Sequence, residues 1–313
     1  MTAQPIIIDT DPGQDDAVAI LLALACPDAL EVLGLTCVAG NVPLDLTTRN
    51  ARIACELAGR ADLPVFAGCE RPLRGELLTA EHVHGETGLD GPYLPEPEMP
   101  LQPGHAVEFI IETVRSRPEE TVTLVALGPL TNIATAFETA PEIAAKLRGI
   151  VVMGGTQHVA GNATPSAEFN MHVDPHAADI VMRAGVPLTL VPLDVTHRAL
   201  VTPPRNAALR AIGTPVGRAV ADLTGFIERY DPDRFGEAGA PLHDPCVIGW
   251  LVRPDLFRSS RVNLTVETDD DETLGMTVMD WPGAQGRAPN ATVLNEIEAE
   301  GFFDLLIERL ARL

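Results

Sequence analysis

Residues 6–17 read IIIDTDPGQDDA, and within them an apolar β-strand pattern runs directly into four carboxylates that fall within eight residues. Pro12-Gly13 is a typical turn pair, so Asp11 and Asp15 can lie on either side of a tight bend. Asp15 and Asp16 then begin a helical pattern, where the helix dipole favours negative charge. The segment therefore predicts a strand, an acidic turn and a helix in direct succession.

This acidic turn is predicted to bind a hard divalent cation. Four carboxylates this close repel one another, and without a cation some of them would hold protons at neutral pH. Ca²⁺ or Mg²⁺ relieves that repulsion with oxygen ligands alone, and the spacing differs from the EF-hand loop. The simpler interpretation is that Asp15 caps the helix and the other acids are solvated.

A second reading of the same segment is a phosphoryl-transfer enzyme in which an aspartate at the end of the strand is the nucleophile. Such enzymes would be expected to hold phosphate with basic groups. The chain has no glycine-rich phosphate loop with a lysine, and Lys146 is its only lysine. This metal-dependent phosphohydrolase stays as an alternative at this point.

Outward from this segment, short aliphatic runs alternate with helical patterns. Val32–Val38 precedes a helical pattern at Leu44–Ala58, and Val122–Leu127 precedes another at Leu130–Phe137. Such alternation predicts an α/β fold, a single domain over residues 1–313 with a mainly parallel central sheet flanked by helices. In such sheets ligands bind at the C-terminal ends of the strands, so the active site is expected there.

Two irregular stretches are predicted to lie over that site. Residues 71–102 are rich in Gly, Pro, His and Glu and read as a long loop. Residues 198–245, approximately, combine a helical pattern with a glycine-rich stretch and read as a helical insertion. Long excursions from a compact domain are often functional, so both are candidates for contact with a ligand.

Charge and composition exclude several classes of function. The net charge of −22 repels phosphate backbones and anionic lipid headgroups, so neither nucleic acid nor a membrane is an expected partner. Five cysteines at wide spacings, with no CxxC pair, fit reduced thiols. The N-terminus has no basic region followed by an apolar one, so a cytoplasmic location is predicted.

An ordered series of motifs accompanies the acidic turn. These motifs are VAGNV (38–42), HGETGLDG (84–91), LGPLTN (127–132), VMGG (152–155), GNATP (161–165), AEFN (167–170), Asp174-Pro175, His243-Asp244-Pro245 and PNATV (289–293). In this order they resemble the inosine–uridine-preferring nucleoside hydrolase family over essentially the whole chain. The resemblance implies a Rossmann-like nucleoside hydrolase fold. It also implies hydrolysis of the N-glycosidic bond of ribonucleosides, in nucleoside salvage or catabolism.

The resemblance also implies a Ca²⁺ cofactor. Its ligands would be the carboxylates of Asp11, Asp16 and Asp244 and the backbone carbonyl of Leu127, with ribose hydroxyls and water completing six to eight oxygens. Asp15 would be the general base that activates a calcium-bound water. Asp9 would not bind the ion itself but would orient the residues that do.

For the nucleoside, the resemblance implies two kinds of contact. The ribose would be held by polar residues, and the apolar walls and the nucleobase contacts would come from other positions. The polar set is Asn41, Asn162, Glu168 and Asn170, and Met153 and Phe169 would supply the apolar walls. From their places in the two irregular stretches, His84 and Tyr230 are candidates for contact with the nucleobase, and Tyr230 is equally a packing residue. Taken singly, Asn162 is better interpreted as a turn residue and Met153 as a core residue, and only the ordered series of motifs favours the functional interpretation.

His243 is the predicted acid for the departing base, because it adjoins Asp244 and histidine titrates near neutral pH. His82, His158, His172 and His197 are weaker candidates for this role. Purine-preferring members stack the base on tryptophans, whereas this chain has only Trp250 and Trp281. Pyrimidine nucleosides, uridine and cytidine, are therefore the expected substrates, and inosine is a further one. The resemblance suggests a homodimer or homotetramer, and a silent nucleoside- or ribose-binding protein is the remaining alternative.

Overall fold

A nine-stranded sheet forms the centre of the molecule in this computed structural model, which describes residues 3–227 and 239–313. The strands are β1 (Gln4–Thr10), β2 (Leu30–Cys37), β3 (Val65–Ala67), β4 (Thr123–Ala126), β5 (Gly149–Met153), β6 (Leu188–Val191), β7 (Leu200–Val201), β8 (Ala240–Pro241), β9 (Phe257–Val266), β10 (Thr277–Asp280) and β11 (Ala291–Ile297). The sheet order is β10-β9-β11-β6-β5-β4-β1-β2-β3, while β7 and β8 pair separately.

Helices cover both faces of this sheet. They are α1 (Gln14–Leu24), α2 (Leu44–Leu57), α3 (Glu81–His84), α4 (Ala106–Ser116), α5 (Thr131–Thr139), α6 (Phe169–Val173), α7 (Pro175–Arg183), α8 (Leu193–Thr196), α9 (Pro203–Ala211), α10 (Pro215–Ile227), α11 (Pro245–Val252) and α12 (Ala299–Leu310). Short 3₁₀ helices lie at Pro141–Lys146 and Pro254–Leu256. Among the described residues, no helix is both long and apolar enough to cross a membrane.

The predicted parallel sheet is confirmed. All neighbouring strands from β3 to β11 pair in parallel, and only β9, between β11 and β10, pairs antiparallel with its neighbours. Strand β9, next to the edge strand β10, was not predicted, because more than half of its side chains are exposed or half-exposed. Parallel strands buried on both faces are continuously apolar instead, and are therefore easier to recognise.

β1 lies in the middle of the sheet, and its apolar run is packed on both sides. Ile6 and Ile8 belong to the core on one face and Ile7 to the core on the other, and all three are fully buried. Every residue of α1 is also buried, because this helix packs against α2, α10, α11 and α12. The acidic turn between β1 and α1 is thus fixed between two rigid elements.

The two irregular stretches differ from each other in the structure. Residues 71–102 form mostly irregular chain around the single turn of α3, as the loop prediction requires. Residues 198–245 contain α9 and α10 together with the β7–β8 pair. The position of both segments over the site remains a prediction, and residues of both segments line a cavity.

Candidate active site

The carboxyl ends of the central strands open into a cavity of about 410 Å³. The predicted site residues that line it are Asp15, Asn41, His84, Leu127, Met153, Asn162, Glu168, Phe169, Asn170, His243 and Asp244. Ala80 and Val83 of the 71–102 loop line it too, as do Ile227 and Pro241 of the second stretch. Asp9, Asp11 and Asp16 lie beneath the surface of the cavity, and Tyr230 falls outside the described residues.

Three carboxylates form the deepest group of this site. Oxygen atoms of Asp15, Asp16 and Asp244 all lie within 4.8 Å of one another, and the three residues are buried. In the part of the chain that the structure describes, no lysine or arginine forms an ion pair with any of them. Burial, followed by repulsion from Asp16 and Asp15, raises the pKa of the Asp244 carboxyl well above its usual range. A bound cation would relieve the repulsion among these carboxylates.

Asp16 is held in place by hydrogen bonds from groups around the turn. Its carboxylate accepts them from the Gly13 N–H at 3.0 Å and from the Asn41 amide nitrogen at 3.1 Å. The Thr10 hydroxyl and, more weakly, the Asp11 N–H also donate to it. Because these partners are nearly all fixed backbone or buried groups, the orientation of this carboxylate is set before any ligand binds.

Asp11 leaves one oxygen unsatisfied. Its Oδ2 accepts a hydrogen bond from the Asn41 N–H at 2.7 Å, whereas Oδ1 is buried without a partner. A Cβ atom added at Gly128 would lie 2.3 Å from Oδ1, and one added at Gly40 would lie 2.1 Å from Oδ2. The two glycines therefore make room for this carboxylate. A buried, orphaned carboxylate oxygen beside an uncompensated acidic group fits a metal ligand.

Asp9 lies one layer further from the cavity. Its Oδ2 accepts hydrogen bonds from the Thr36 hydroxyl at 2.6 Å and the Asn132 amide at 2.9 Å, while Oδ1 has no partner. Burial raises the pKa of the Asp9 carboxyl to about 7, although both hydrogen bonds act to lower it. This position behind the acidic group is compatible with the orienting role that the resemblance implies.

Asp15 lies in the first turn of α1 and reaches the cavity. Burial raises the pKa of its carboxyl to about 6, and backbone amides, including those of Asp244 and His243, oppose that shift. Within the acidic group, this carboxylate therefore also contacts the chain segment that carries His243. It combines contact with the cavity and a pKa just below neutral, which are the properties of a general base.

The polar side chains on the β5 side are held with similar precision. Glu168 caps α6 by accepting hydrogen bonds from the N–H groups of Asn170, Met171 and Gly155. Burial raises the pKa of the Glu168 carboxyl to about 7 against the effect of these bonds. The more exposed Asn162 accepts a hydrogen bond from the Phe169 N–H at 2.8 Å, which joins the 161–165 segment to the same helix.

The Leu127 carbonyl already has one partner in this arrangement. It accepts a hydrogen bond of 2.7 Å from the Asn170 amide nitrogen, which also donates to the Met153 carbonyl at 3.3 Å. A carbonyl oxygen has two lone pairs, so one remains available for a cation. The bond ties a predicted metal ligand directly to a predicted ribose contact.

Histidines occupy much of the remaining cavity surface. His243 hydrogen-bonds through Nδ1 to the Thr196 hydroxyl at 2.8 Å, and its ring meets that of His197 edge-on. His82, His172 and His197 also line the cavity, whereas His158 does not and stacks on Trp281 instead. Trp250 packs against Phe257. Neither tryptophan lines the cavity.

Two features of the site were missed in the sequence. Gln14 is buried and contacts His84, and nothing in its local sequence distinguishes it from a solvated helix residue. Leu78 also lines the cavity but lies in an irregular segment without periodicity. Within the described chain, no lysine or arginine lines the cavity, so the phosphohydrolase alternative lacks the basic groups that would hold a phosphate.

Comparison with known proteins agrees with this arrangement. The model of the "Inosine-uridine preferring nucleoside hydrolase" family matches residues 6–304. The chain belongs to this family. It is therefore a hydrolase of N-glycosyl compounds with the family's α/β fold, and both predictions are confirmed. The family is typically metal-dependent, and the acidic group could bind a metal.

Individual relatives extend over the full length of the chain. A pyrimidine-specific ribonucleoside hydrolase, RihA, of Citrobacter koseri is 48% identical, with 99% of this chain and 98% of that protein covered. The structure of a purine-preferring ribonucleoside hydrolase from Gardnerella vaginalis superposes with a TM-score of 0.91 at 30% identity, covering 98% of both chains. A plant nucleoside hydrolase, PpNRh1, gives a TM-score of 0.90 at 35% identity, covering 98% of this chain and 99% of its own.

Proposed function

We propose that this enzyme releases ribose from pyrimidine nucleosides, uridine and cytidine, with inosine as a further substrate, in nucleoside salvage or catabolism. The observation that carries the proposal is a cavity with two features. Its floor holds three buried carboxylates (Asp15, Asp16 and Asp244) that form no ion pair with a described lysine or arginine, and its sides present the amides of asparagines and the carboxylate of Glu168. The pyrimidine preference is supported by the 48% identity to the RihA relative. The absence of both tryptophans from the cavity lining supports it further.

We propose Ca²⁺ as the cofactor of this enzyme, bound by the carboxylates of Asp11, Asp16 and Asp244 and by the Leu127 carbonyl. The orphaned Oδ1 of Asp11 and the free lone pair of Leu127 support this ligand set. With ribose hydroxyls and water it reaches six to eight oxygens, which suits Ca²⁺ better than the strict octahedron of Mg²⁺. When bound, the ion would lower the pKa of a water molecule and orient the sugar hydroxyls.

Asp15 is the proposed general base. At pH 7 a carboxyl with a pKa of about 6 is largely ionised, so it can accept a proton from the attacking water at a carboxylate oxygen. Oxygen from that water forms the new bond to the anomeric carbon as the bond to the base nitrogen breaks. The electron pair of the broken bond leaves with the nucleobase, which then needs a proton.

Asn41, Asn162, Glu168 and Asn170 are the proposed ribose contacts. Sugar hydroxyls both donate and accept, so amides and a carboxylate are suitable partners. Hydrogen bonds to backbone groups hold each of these side chains, and the Asn41 amide also donates to the Asp16 carboxylate. Such preorganisation favours the flattened, oxocarbenium-like sugar of the transition state. Met153 and Phe169 supply the proposed apolar walls beside it, and Asp9 orients the floor from beneath.

His243 is the proposed acid that protonates the departing base. The Thr196 hydroxyl hydrogen-bonds to Nδ1 at 2.8 Å and orients the ring at the cavity that it lines. Tyr230 remains a proposed contact of the nucleobase. The two segments 71–102 and 198–245 are proposed to close over the bound nucleoside, because residues of both line the cavity.

We also propose a cytoplasmic location and a homo-oligomeric assembly for this enzyme. Five unpaired thiols fit a cytoplasmic enzyme. A homodimer or homotetramer is proposed from the family resemblance, and light scattering of the purified protein would test it.

The function is tested by following free ribose from uridine, cytidine, inosine and adenosine, with calcium and with a chelator. The proposal expects the highest kcat/KM on uridine or cytidine, and loss of activity with the chelator that added calcium restores. Preference for adenosine would overturn the substrate assignment. Binding of nucleosides without release of ribose, measured by calorimetry, would instead support the silent binding protein.

A further inference from the structure

Gln14 links the acidic turn to the loop that carries His84. It is the first residue of α1, it is fully buried, and its amide nitrogen donates to the carbonyls of His84 at 2.8 Å and Asp90 at 3.1 Å. Carbonyl oxygens can only accept hydrogen bonds, so the nitrogen of this amide must face them. The amide oxygen then faces the ring of His84, with 2.6 Å between Gln14 Oε1 and His84 Nδ1.

The proton on the His84 ring follows from this orientation. An amide oxygen has lone pairs and no hydrogen, so His84 Nδ1 must carry the proton. A neutral imidazole has one N–H, and Nε2 is therefore an acceptor. Burial lowers the pKa of His84 to about 4, which agrees with a neutral ring. A Cβ at Gly13 would lie 2.4 Å from Nδ1, so the ring also packs closely against the turn.

We propose that Gln14 is a positioning residue that fixes His84 in the Nδ1–H tautomer, so that Nε2 accepts a hydrogen bond from a hydroxyl or N–H group of the nucleoside. His84 lines the cavity, and with Nδ1 engaged, Nε2 is the ring nitrogen left for a ligand there. The inference rests on the proposed function for the identity of the ligand. It separates two histidines by role, because His84 then receives a hydrogen bond and does not protonate the base.

Asn50 provides a matched control for Gln14. It is also a fully buried amide whose nitrogen donates to two backbone carbonyls, those of Pro12 at 2.9 Å and Thr87 at 2.8 Å. It thus fastens the same loop to the same turn. Asn50 has no hydrogen bond to the ring of His84, so Asn50→Leu removes the anchoring without changing the partner of Nδ1.

The tautomer is read directly by long-range ¹H–¹⁵N correlation NMR of the calcium-loaded enzyme labelled in its histidines. The His84 signals are assigned by their loss in His84→Asn. We expect a protonated Nδ1 and a bare Nε2 in the wild type and in Asn50→Leu, and a mixture of tautomers in Gln14→Met. A protonated Nε2 in the wild type, or an unchanged spectrum in Gln14→Met, would overturn the proposal.

Kinetics with uridine then test the consequence. Loss of one hydrogen bond to the substrate predicts a fall in kcat/KM of roughly tenfold for Gln14→Met and for His84→Leu, and no further fall in the double variant. Asn50→Leu should lower the melting temperature by as much as Gln14→Met while changing kcat/KM less. Additive losses in the double variant would contradict the coupling. Since the NMR result does not depend on turnover, failure of the tautomer and failure of the nucleoside hydrolase function give different outcomes.

Discussion

Two parts of the cavity hold their functional side chains by different means. In the acidic floor (Asp11, Asp15, Asp16 and Asp244), Asp16 and Asp11 accept hydrogen bonds from the backbone N–H groups of Gly13 and Asn41. In the histidine wall (His82, His197 and His243), the Nδ1 atom of His243 hydrogen-bonds to a side-chain hydroxyl, that of Thr196. The floor is almost fully buried, whereas His243 is half-buried.

This difference suits two kinds of chemistry. Backbone N–H groups can only donate, so the floor presents a fixed set of lone pairs, as a cation site requires. A threonine hydroxyl can donate or accept, so its bond to His243 persists whether Nδ1 is protonated or bare. The floor therefore presents a fixed set of acceptors, whereas the bond between His243 and Thr196 does not depend on where the ring carries its proton.

The largest effect is expected when Asp15, the proposed general base, is replaced, and this variant distinguishes Asp15 from the proposed metal ligands of the floor. Asp15→Asn should lower kcat on uridine by roughly 10³-fold, because an amide cannot accept the proton of the attacking water. Its affinity for calcium, measured by calorimetry, should stay within roughly tenfold of the wild type. If calcium binding disappears together with activity, Asp15 belongs with the ligands, and the assignment of a separate base is wrong.

The next-largest effect is expected when His243 of the histidine wall is replaced, and it tests the proposed role of His243 as the acid. His243→Gln should lower kcat on uridine by roughly 10²-fold, because the departing uracil then lacks its acid. On a nitrophenyl riboside, whose leaving group needs no proton, the same variant should lose less than about threefold. Equal losses on the two substrates would mean that His243 positions the sugar or the floor.

A smaller effect tests how tightly the floor is built. Gly128→Ala places a Cβ 2.3 Å from Asp11 Oδ1, so calcium affinity should fall by about tenfold or more while the protein stays folded. Gly225→Ala, in α10, is the matched control, since its Cβ would have 3.6 Å to the nearest atom. Because alanine favours a helix, the control should keep its calcium affinity and gain about 1 kcal/mol of stability. Equal calcium affinities in the two variants would argue against Asp11 as a ligand.

The smallest expected effect is the pH dependence of stability. The folded protein raises the pKa of Asp15 to about 6 and of Asp9 to about 7 from a usual 3.8. The folded state then binds more protons than the unfolded chain, so this contribution to stability is present below pH 3.8 and is lost as pH rises through 6 to 7. We expect bound calcium to replace these protons.

Thermal unfolding checks this linkage. The increase in melting temperature on adding calcium should be a few degrees larger at pH 7.5 than at pH 5. Asp11→Asn with calcium is the matched control, because it removes a proposed ligand from the same site. An increase that does not change with pH in the wild type would show that protons and calcium do not compete at the floor.

Much of the fold was predictable because its signals are local. The apolar runs of β1 and β5 are buried on both faces, so they stand out in the sequence as continuous stretches. Strand β9, next to the edge strand β10, was missed, since a strand that is half exposed has a weaker pattern. For the site, the acidic turn was recognisable because its carboxylates are adjacent in sequence.

Local chemistry along the chain was enough to indicate the α/β class, a cation-binding turn and, through the order of its motifs, the family. That Asp244 meets Asp15 and Asp16, more than 200 residues earlier in the chain, was expected only through the family resemblance, and the tertiary structure shows it. Only the tertiary structure decided that Gln14 faces His84 and that Asp11 keeps an unpaired oxygen. The physical reason is that hydrogen-bond partners and desolvation depend on what packs against a group, and in this sheet those neighbours come from distant strands and loops.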